Sequence, residues 1–324
     1  MPIAISISQP GGPGVLTPIE VFPADPGPDE VQIRHAVIGV NFVDIYYRSG
    51  LYPLPSSPAI PGFEGAGVVV ASGRNVKGFS PGDRVAYTGN PMGAYCECRN
   101  IPAGRLIKIP AGVDMRTAGS SMLRGLTAHM LLHKVWHVQP GEWLLVHAAA
   151  GGLGQLVTRW ATLKGARVIG TTSSPARAAH VLAAGAVSVL LHTDPNWVSQ
   201  LREITGEPGV HFAVDGIGGN MLSATLGVVR PFGMVASMGQ PAGPIPPVAV
   251  EELGFSRSIA LMRPSSIAYA DDADLYRQGA DDLMTALQNG LVNPVGAEYA
   301  LTEAEQAHAS LEAGHTTGSV ILTV

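Results

Sequence analysis

A chain of 324 residues exceeds what one hydrophobic core usually organises and predicts two domains. With 46% apolar and 14% charged residues, 40 Gly and 26 Pro, the composition is that of a soluble globular protein and excludes a disordered or low-complexity chain. The formal net charge of -5 argues against a broad electrostatic footprint for nucleic acid or an anionic membrane.

The apolar runs are broken by Gly, Pro or charge well short of the ~20 residues that span a bilayer. The N-terminal "MPIAISISQPGG" has no basic region before an apolar stretch, so no signal peptide is expected and the default location is cytoplasmic. The first hundred residues read as short strands punctuated by Gly and Pro, such as "AISIS", "EVQIRHAVIGV", "EGAGVVVASG", "DRVAYTG" and "AYCECRNI". The two cysteines, Cys96 and Cys98, are predicted to share one face of a strand, where they make no ordinary disulfide.

From about residue 125 strands and helices alternate: "EWLLVHAAA", "GQLVTRWATLKG", "ARVIGTTSS", "PARAAHVLAAG", "AVSVLLH", "NWVSQLREITG", "VHFAVDGIG" and "GMVASMGQ". Near-continuous apolar strands in that rhythm predict a doubly wound parallel sheet covered on both faces. After residue 263 come "DADLYRQGADDLMTALQNGLV", "LTEAEQAHASLEAG" and a last strand, "SVILTV". Thr302 and Glu305 have the spacing of a capping box, and Gly314 closes that helix. These segments leave the βα rhythm and are expected to rejoin the first domain. The predicted domains are residues 1–124 with 264–324, mostly β, and 125–263, α/β.

The stretch "HAAAGGLGQL" lies between a predicted strand and helix. Gly151 and Gly154 take the second and third glycine slots of a dinucleotide turn, one for close backbone approach to a pyrophosphate and one for helix packing. Ala149 stands in the first slot, acceptable where that position needs no positive φ. An NAD site places Asp or Glu at the end of the next strand, ~20 residues on, for the ribose hydroxyls. "GTTSSPAR" instead offers Ser173, Ser174 and Arg177, hydroxyls and a guanidinium suited to a 2'-phosphate, which points to NADP. The other reading leaves Arg177 as a solvated helix residue.

"PGFEGAGVV", "KGFSPGDRV" and "HAAAGGLG" together resemble the medium-chain dehydrogenase/reductase superfamily. In its zinc alcohol dehydrogenases the first stretch reads Gly-His-Glu with the histidine a zinc ligand; here that position is Phe63. The family's earlier cysteine ligand falls near Asn41, and two cysteines cannot supply the four-cysteine structural lobe, so zinc is not expected. The ten histidines are scattered without metal-ligand spacing. "GVNFVDIYYRSGLYP", "AAAGGLG", "RGLTAHMLL" and "MRPS" resemble the zinc-free, zeta-crystallin-like quinone oxidoreductases, and that resemblance covers essentially the whole chain.

The resemblance implies a GroES-like, mostly β domain, a Rossmann domain, NADPH as cofactor, a quinone substrate and usually a homodimer, here through edge strands around Arg257 to Met262. Position by position it assigns Asn41, Phe42, Asp44 and Tyr46 to a loop near the nicotinamide, and Tyr52 to the substrate end of that segment, with Asn41 and Tyr46 also facing substrate. Thr127 and Met130 match the helix passing the nicotinamide. Gly151, Gly152, Leu153 and Gly154 match the pyrophosphate turn, and Ser173, Ser174 and Arg177 the 2'-phosphate site. His192 takes a place usually filled by tyrosine. Ile217, Gly239 and Gln240 follow later strands, and Arg263, Pro264 and Ser265 close the cleft. Ile45 replaces a commonly polar residue and predicts a drier pocket.

Alternative readings stand beside these. Tyr46, Tyr47 and Tyr52 have the character of packing aromatics, Arg263 that of an interdomain ion-pair residue, and Asp215 that of a residue orienting backbone. The expected reaction is zinc-independent hydride transfer from NADPH to a quinone in the interdomain cleft, with Tyr46 or Tyr52 bonding the quinone oxygen. An enzyme of the same build reducing the C=C bond of 2-alkenals or enones is the nearer rival. A non-catalytic crystallin-like or RNA-binding NADPH-binding protein is the farther one.

Overall fold

In the segment Glu30–Val40 alternate side chains from Val31 to Ala36 are buried, and then all of Ile38 to Val40, as expected of a strand entering a core. The structure, a computed structural model, describes residues 1–206, 208–255 and 257–324. Two compact units result: Met1–Leu126 with Ile267–Val324, and Thr127–Ser266.

The chain begins with β1 (Ile3–Ser6), β2 (Thr17–Glu20), β3 (Glu30–Val40), α1 (Phe42–Ser49), β4 (Glu64–Ser72), β5 (Arg84–Thr88), β6 (Cys98–Pro102), β7 (Ile107–Lys108) and α2 (Met115–His129). The second unit carries β8 (Trp143–Val146), α3 (Gly152–Leu163), β9 (Arg167–Thr172), α4 (Ala178–Ala183), β10 (Ser188–Leu191), α5 (Trp197–Thr205), β11 (Val210–Asp215), α6 (Met221–Leu226), β12 (Val229–Ser237) and β13 (Ala260–Met262). The chain then returns through α7 (Ser266–Asp271), α8 (Ala273–Gln288), β14 (Val295–Ala300), α9 (Ala304–Glu312) and β15 (Ser319–Thr323).

In the first unit the main sheet runs β14-β15-β3-β4-β5-β7, with β6 also paired to β3. The last strand therefore enters that sheet directly, antiparallel to β3. Ala304, Ala307, His308 and Leu311 repeat at helical spacing and form the buried stripe of α9. Its start departs from the expected capping box: Glu303, not Glu305, accepts the Ala300 N–H at 2.8 Å, because a short turn of 3₁₀ helix, Leu301–Glu303, precedes the α-helix. The cysteines also differ from expectation. β6 begins at Cys98, whereas Cys96 lies outside it in an isolated bridge to Ala4; Cys96 is buried and Cys98 half-buried. Burial pushes the Cys96 thiol up to about 12.

In the second unit the sheet order is β10-β9-β8-β11-β12-β13, parallel throughout. All four residues of β8 and five of six in β9 and β11 are buried, the signature of a sheet covered on both faces. The chain leaves β8 toward β9 and β10, then crosses back to β11. The ends of β8 and β11 thus flank the topological switch point where such sheets take ligands.

Candidate functional site

In the second unit the turn after β8 is built by backbone. Ala148 has φ 50, so the left-handed residue lies one position before Ala149, and the missing first glycine is not needed at 149 itself. Ala149 N–H donates to Thr171 O at 2.9 Å, and Gly151 N–H to Ala148 O at 3.0 Å, folding the chain into α3. A Cβ on Gly154 would lie 2.5 Å from Ala148 O and 2.7 Å from Ala149 Cα, so only glycine lets the helix sit on this turn. The first N–H groups of this 12-residue helix take no side-chain cap from Gly151, and such a helix start, with its dipole behind it, is the kind of site that suits an anion.

Ser173, exposed, and Ser174, half-buried, follow β9; Arg177, half-buried, ends the 3₁₀ turn Pro175–Arg177. No acid occurs from Arg167 to Ala178, so a phosphate meets hydroxyls and a guanidinium without repulsion. His192 follows β10, its N–H on Thr172 O at 3.1 Å. Burial lowers its pKa, which favours the neutral imidazole.

The other ends of this sheet hold their loops with side chains. Asp215 Oδ1 accepts the N–H groups of Ile217 (2.8 Å) and Gly218 (3.1 Å), which makes it the backbone-orienting residue expected. Arg263, after β13, donates to Ser237 Oγ at 3.2 Å and Gln240 Oε1 at 3.3 Å, partners in its own unit. Gly239 and Pro264 are buried and Ser265 is exposed. Apart from Thr127 and Met130, both buried near the end of α2, every expected cofactor residue of this unit sits at the C-terminal edge of the sheet. His147, behind the turn, bonds Thr171 Oγ1 (2.8 Å) and Thr225 Oγ1 (2.9 Å), and burial pushes its pKa down to about 3.

In the first unit the expected loop is a helix. Asn41 is the N-cap of α1 and Phe42, Asp44, Tyr46 and Tyr47 lie on it. Aromatic rings continue from Phe42 to Tyr46 (6.3 Å between centroids), Tyr46 to Tyr52 (5.5 Å), Tyr52 to Tyr47 (5.5 Å) and Tyr47 to Phe63 (5.2 Å). Tyr52 is 37% exposed and Tyr46 half-buried, so this aromatic wall has an open end; Phe63 is wholly buried and closes the other.

Two expectations are corrected here. Asp44 is fully buried and cannot touch a ligand: its Oδ2 accepts the Asn41 N–H at 2.7 Å and the Tyr95 hydroxyl at 3.3 Å. Ile45 belongs to the hydrophobic core with Ala304 and Leu311, so it does not line a pocket.

Beneath Asn41 lies a cluster that sequence reasoning missed. Asn41 Nδ2 donates to Glu64 Oε2 at 2.7 Å; Glu64 Oε1 accepts the Leu123 N–H at 2.9 Å; and Arg124 Nη1 lies 3.5 Å from Glu64 Oε2. Arg124 also donates to Val40 O (2.6 Å) and Ser120 O (3.2 Å). Tyr95 continues to His308 Nε2 at 2.9 Å. Burial raises the Asp44 carboxyl to about 7, helped by the Glu64 charge, and lowers His308 to about 3. The one sequence signal for this cluster was Glu64, next to Phe63 in "PGFEGAGVV".

Residues 27–140 match the alcohol dehydrogenase GroES-like domain family and residues 152–271 the zinc-binding dehydrogenase family. Despite the second description, the chain has Phe63 and Asn41 at the expected ligand positions, and the described residues bring together no group of three or more His, Cys, Asp or Glu able to hold a metal. A quinone oxidoreductase of Pseudomonas aeruginosa is 39% identical over 96% of both chains. The crystal structure of Escherichia coli quinone oxidoreductase complexed with NADPH superposes with a TM-score of 0.95 at 36% identity, covering 99% of this chain and 100% of that one. A 2-haloacrylate reductase of a Burkholderia species is 37% identical over 99% of each chain. The chain belongs to the quinone oxidoreductase family of the medium-chain dehydrogenase/reductase superfamily.

Proposed function

We propose that the chain is an NADPH-dependent quinone oxidoreductase. The observation that carries the cofactor is the acid-free end of β9, where Ser173, Ser174 and Arg177 follow the Ala148–Gly154 turn. The residues fit the group: a helix start free for pyrophosphate, a glycine where a Cβ would strike backbone, and a cationic and hydroxyl donor set for the 2'-phosphate. When bound, NADPH supplies the hydride.

The N–H groups of Gly152, Leu153 and Gly154 receive the pyrophosphate, Arg177 pairs with the 2'-phosphate, and His192 approaches as a neutral donor. Thr127, Met130, Ile217, Gly239, Gln240, Arg263, Pro264 and Ser265 serve the nicotinamide half. Tyr46 and Tyr52 present their ring edges and hydroxyls to a quinone, which accepts hydride readily because its product is aromatic, so positioning and exclusion of water suffice. The residues of the first unit thereby form the substrate domain and those of the second the NADPH domain. Their chain acts in the cytoplasm as a homodimer joined through the exposed sheet edge at β13.

The test is a panel of 1,4-benzoquinone, 9,10-phenanthrenequinone and an enal with NADPH and NADH. Quinone turnover with NADPH is expected; NADPH binding without oxidation by any quinone overturns the reading. Tyr46→Phe and Tyr52→Phe are expected to lower quinone kcat, and full activity in both removes the tyrosines from the reaction. The similarity to a 2-haloacrylate reductase favours one second reading, reduction of an activated C=C bond, and a faster enal than quinone rate selects it. Light scattering of the purified protein reads the dimer.

A further inference from the structure

Asn is a preferred N-cap because its side-chain oxygen accepts an N–H of the first helical turn. At Asn41 the bonds run differently: the Asp44 N–H goes to the Asn41 backbone carbonyl at 3.0 Å, and Asp44 Oδ2 accepts the Asn41 N–H at 2.7 Å. Its amide turns instead to Glu64. Which end of the amide faces Glu64 is decided by chemistry. A carboxylate surrounded by the Leu123 N–H and the Arg124 guanidinium is acceptor-only, so a donor must face it, and that donor is Nδ2. Glu64 is wholly buried and Arg124 is 7% exposed, so the arrangement is shielded from solvent exchange. Asn41 keeps 6% of its surface open, and the remaining amide atom is the acceptor Oδ1.

We propose that Glu64, held by Arg124, is a positioning residue that locks the Asn41 amide with Nδ2 inward and Oδ1 outward. The start of α1 then offers a bound reactant a hydrogen-bond acceptor and not a donor. This rests on the reading of Asn41 as a site residue. The complementary ligand group is an N–H or O–H donor: the carboxamide NH2 of the cofactor, or the hydroxyl that forms on the reduced acceptor.

Glu64→Gln tests the lock with almost no change of shape. The new amide donates to Asn41 Oδ1, flips the Asn41 amide and turns Nδ2 outward. The double variant Asn41→Asp with Glu64→Gln exchanges the two groups: the new carboxylate at 41 accepts from the new amide at 64, and an acceptor again faces out. Steady-state kinetics with NADPH and 1,4-benzoquinone, alongside thermal unfolding, compare these with Asn41→Ala. The expected result is a fall in kcat/KM of tenfold or more for Asn41→Ala and Glu64→Gln, both folded at assay temperature, and recovery of most of that loss in the double variant. A loss confined to the NADPH KM assigns the donor to the cofactor, and one confined to kcat assigns it to the acceptor.

Full activity of Glu64→Gln beside an impaired Asn41→Ala overturns the lock alone. Full activity of Asn41→Ala overturns the site reading and the lock with it. Equal impairment of the single and double variants shows that amide orientation is not what matters. If Glu64→Gln does not fold, the unmodified protein decides: its Asn41 side-chain NH2 resonance, identified by its loss in Asn41→Ala, is expected to exchange slowly with solvent, and rapid exchange overturns the inward donor.

Discussion

The two units make their binding features from different material. The second uses backbone: one left-handed alanine, a helix start, and a glycine with no room for a Cβ, all within seven residues. The first uses side chains brought from far apart: Asn41 meets Glu64 23 residues on, Glu64 meets Arg124 60 residues on, and Tyr95 meets His308 213 residues on. A backbone site tolerates changes of side chain but not of shape. A side-chain network tolerates small shifts of shape but not of donor and acceptor identity.

The sharpest way to break the backbone site is Gly154→Val. The new side chain meets the Ala148 carbonyl and Ala149 Cα, which cannot move without moving β8, so a loss of about 3 kcal/mol in urea denaturation is expected, with loss of NADPH binding.

Acid acts through buried histidines in both units. His35, His147 and His308 are held neutral by burial, each with a pKa near 3 against 6.5 unfolded. The folded state therefore binds fewer protons, and their stabilisation, complete above pH 6.5, is lost as pH falls toward 3. Each contributes a slope of roughly 1.4 kcal/mol per pH unit in that window. His147→Gln removes one of these groups, so denaturation at pH 7.5 and 5.5 is expected to show a smaller acid loss in this variant than in the unmodified protein, and an equal loss would mean that the buried imidazole is not held neutral. Asp44 acts oppositely: its raised carboxyl stabilises fully below pH 3.8, and that contribution is lost as pH rises through about 7.

Arg177→Ala is expected to raise the KM for NADPH about tenfold, the worth of one charge-assisted bond, and to leave that for NADH within about twofold. Equal effects on both cofactors would remove the phosphate role. The smallest expected effect is Ala148→Gly. It relieves a left-handed alanine and changes stability by no more than about 1 kcal/mol, with cofactor binding retained; a large loss of binding would mean that the alanine methyl itself serves the turn.

The same contrast explains what could be read from sequence. The parallel sheet, its order of strands and helices, and the Ala148–Gly154 turn follow from periodicity and from glycines a few residues apart. The capping at Glu303 escaped because a 3₁₀ turn shifts the helix start, and Cys96 because an isolated bridge has no period. Asp44 and Ile45 were misassigned for one reason: a loop was expected where α1 forms, and on a helix of that orientation both side chains turn to the core. The Glu64–Arg124 cluster left almost no trace, since neither residue has a local partner; pairing across 60 residues is a property of the folded sheet and helix, not of spacing.

Phe63 carries a consequence for how such chains change. It stands where the zinc enzymes of the superfamily have a histidine, yet it is wholly buried with its ring on Tyr47. Phe63→His alone would leave a packing defect beside the tyrosine wall, while position 41 would still hold an amide bound to Glu64. A first step at either position therefore disturbs the Phe63 packing or the Asn41–Glu64 hydrogen bond before any ligand set exists. A metal site in this fold would need changes at both positions together rather than one substitution.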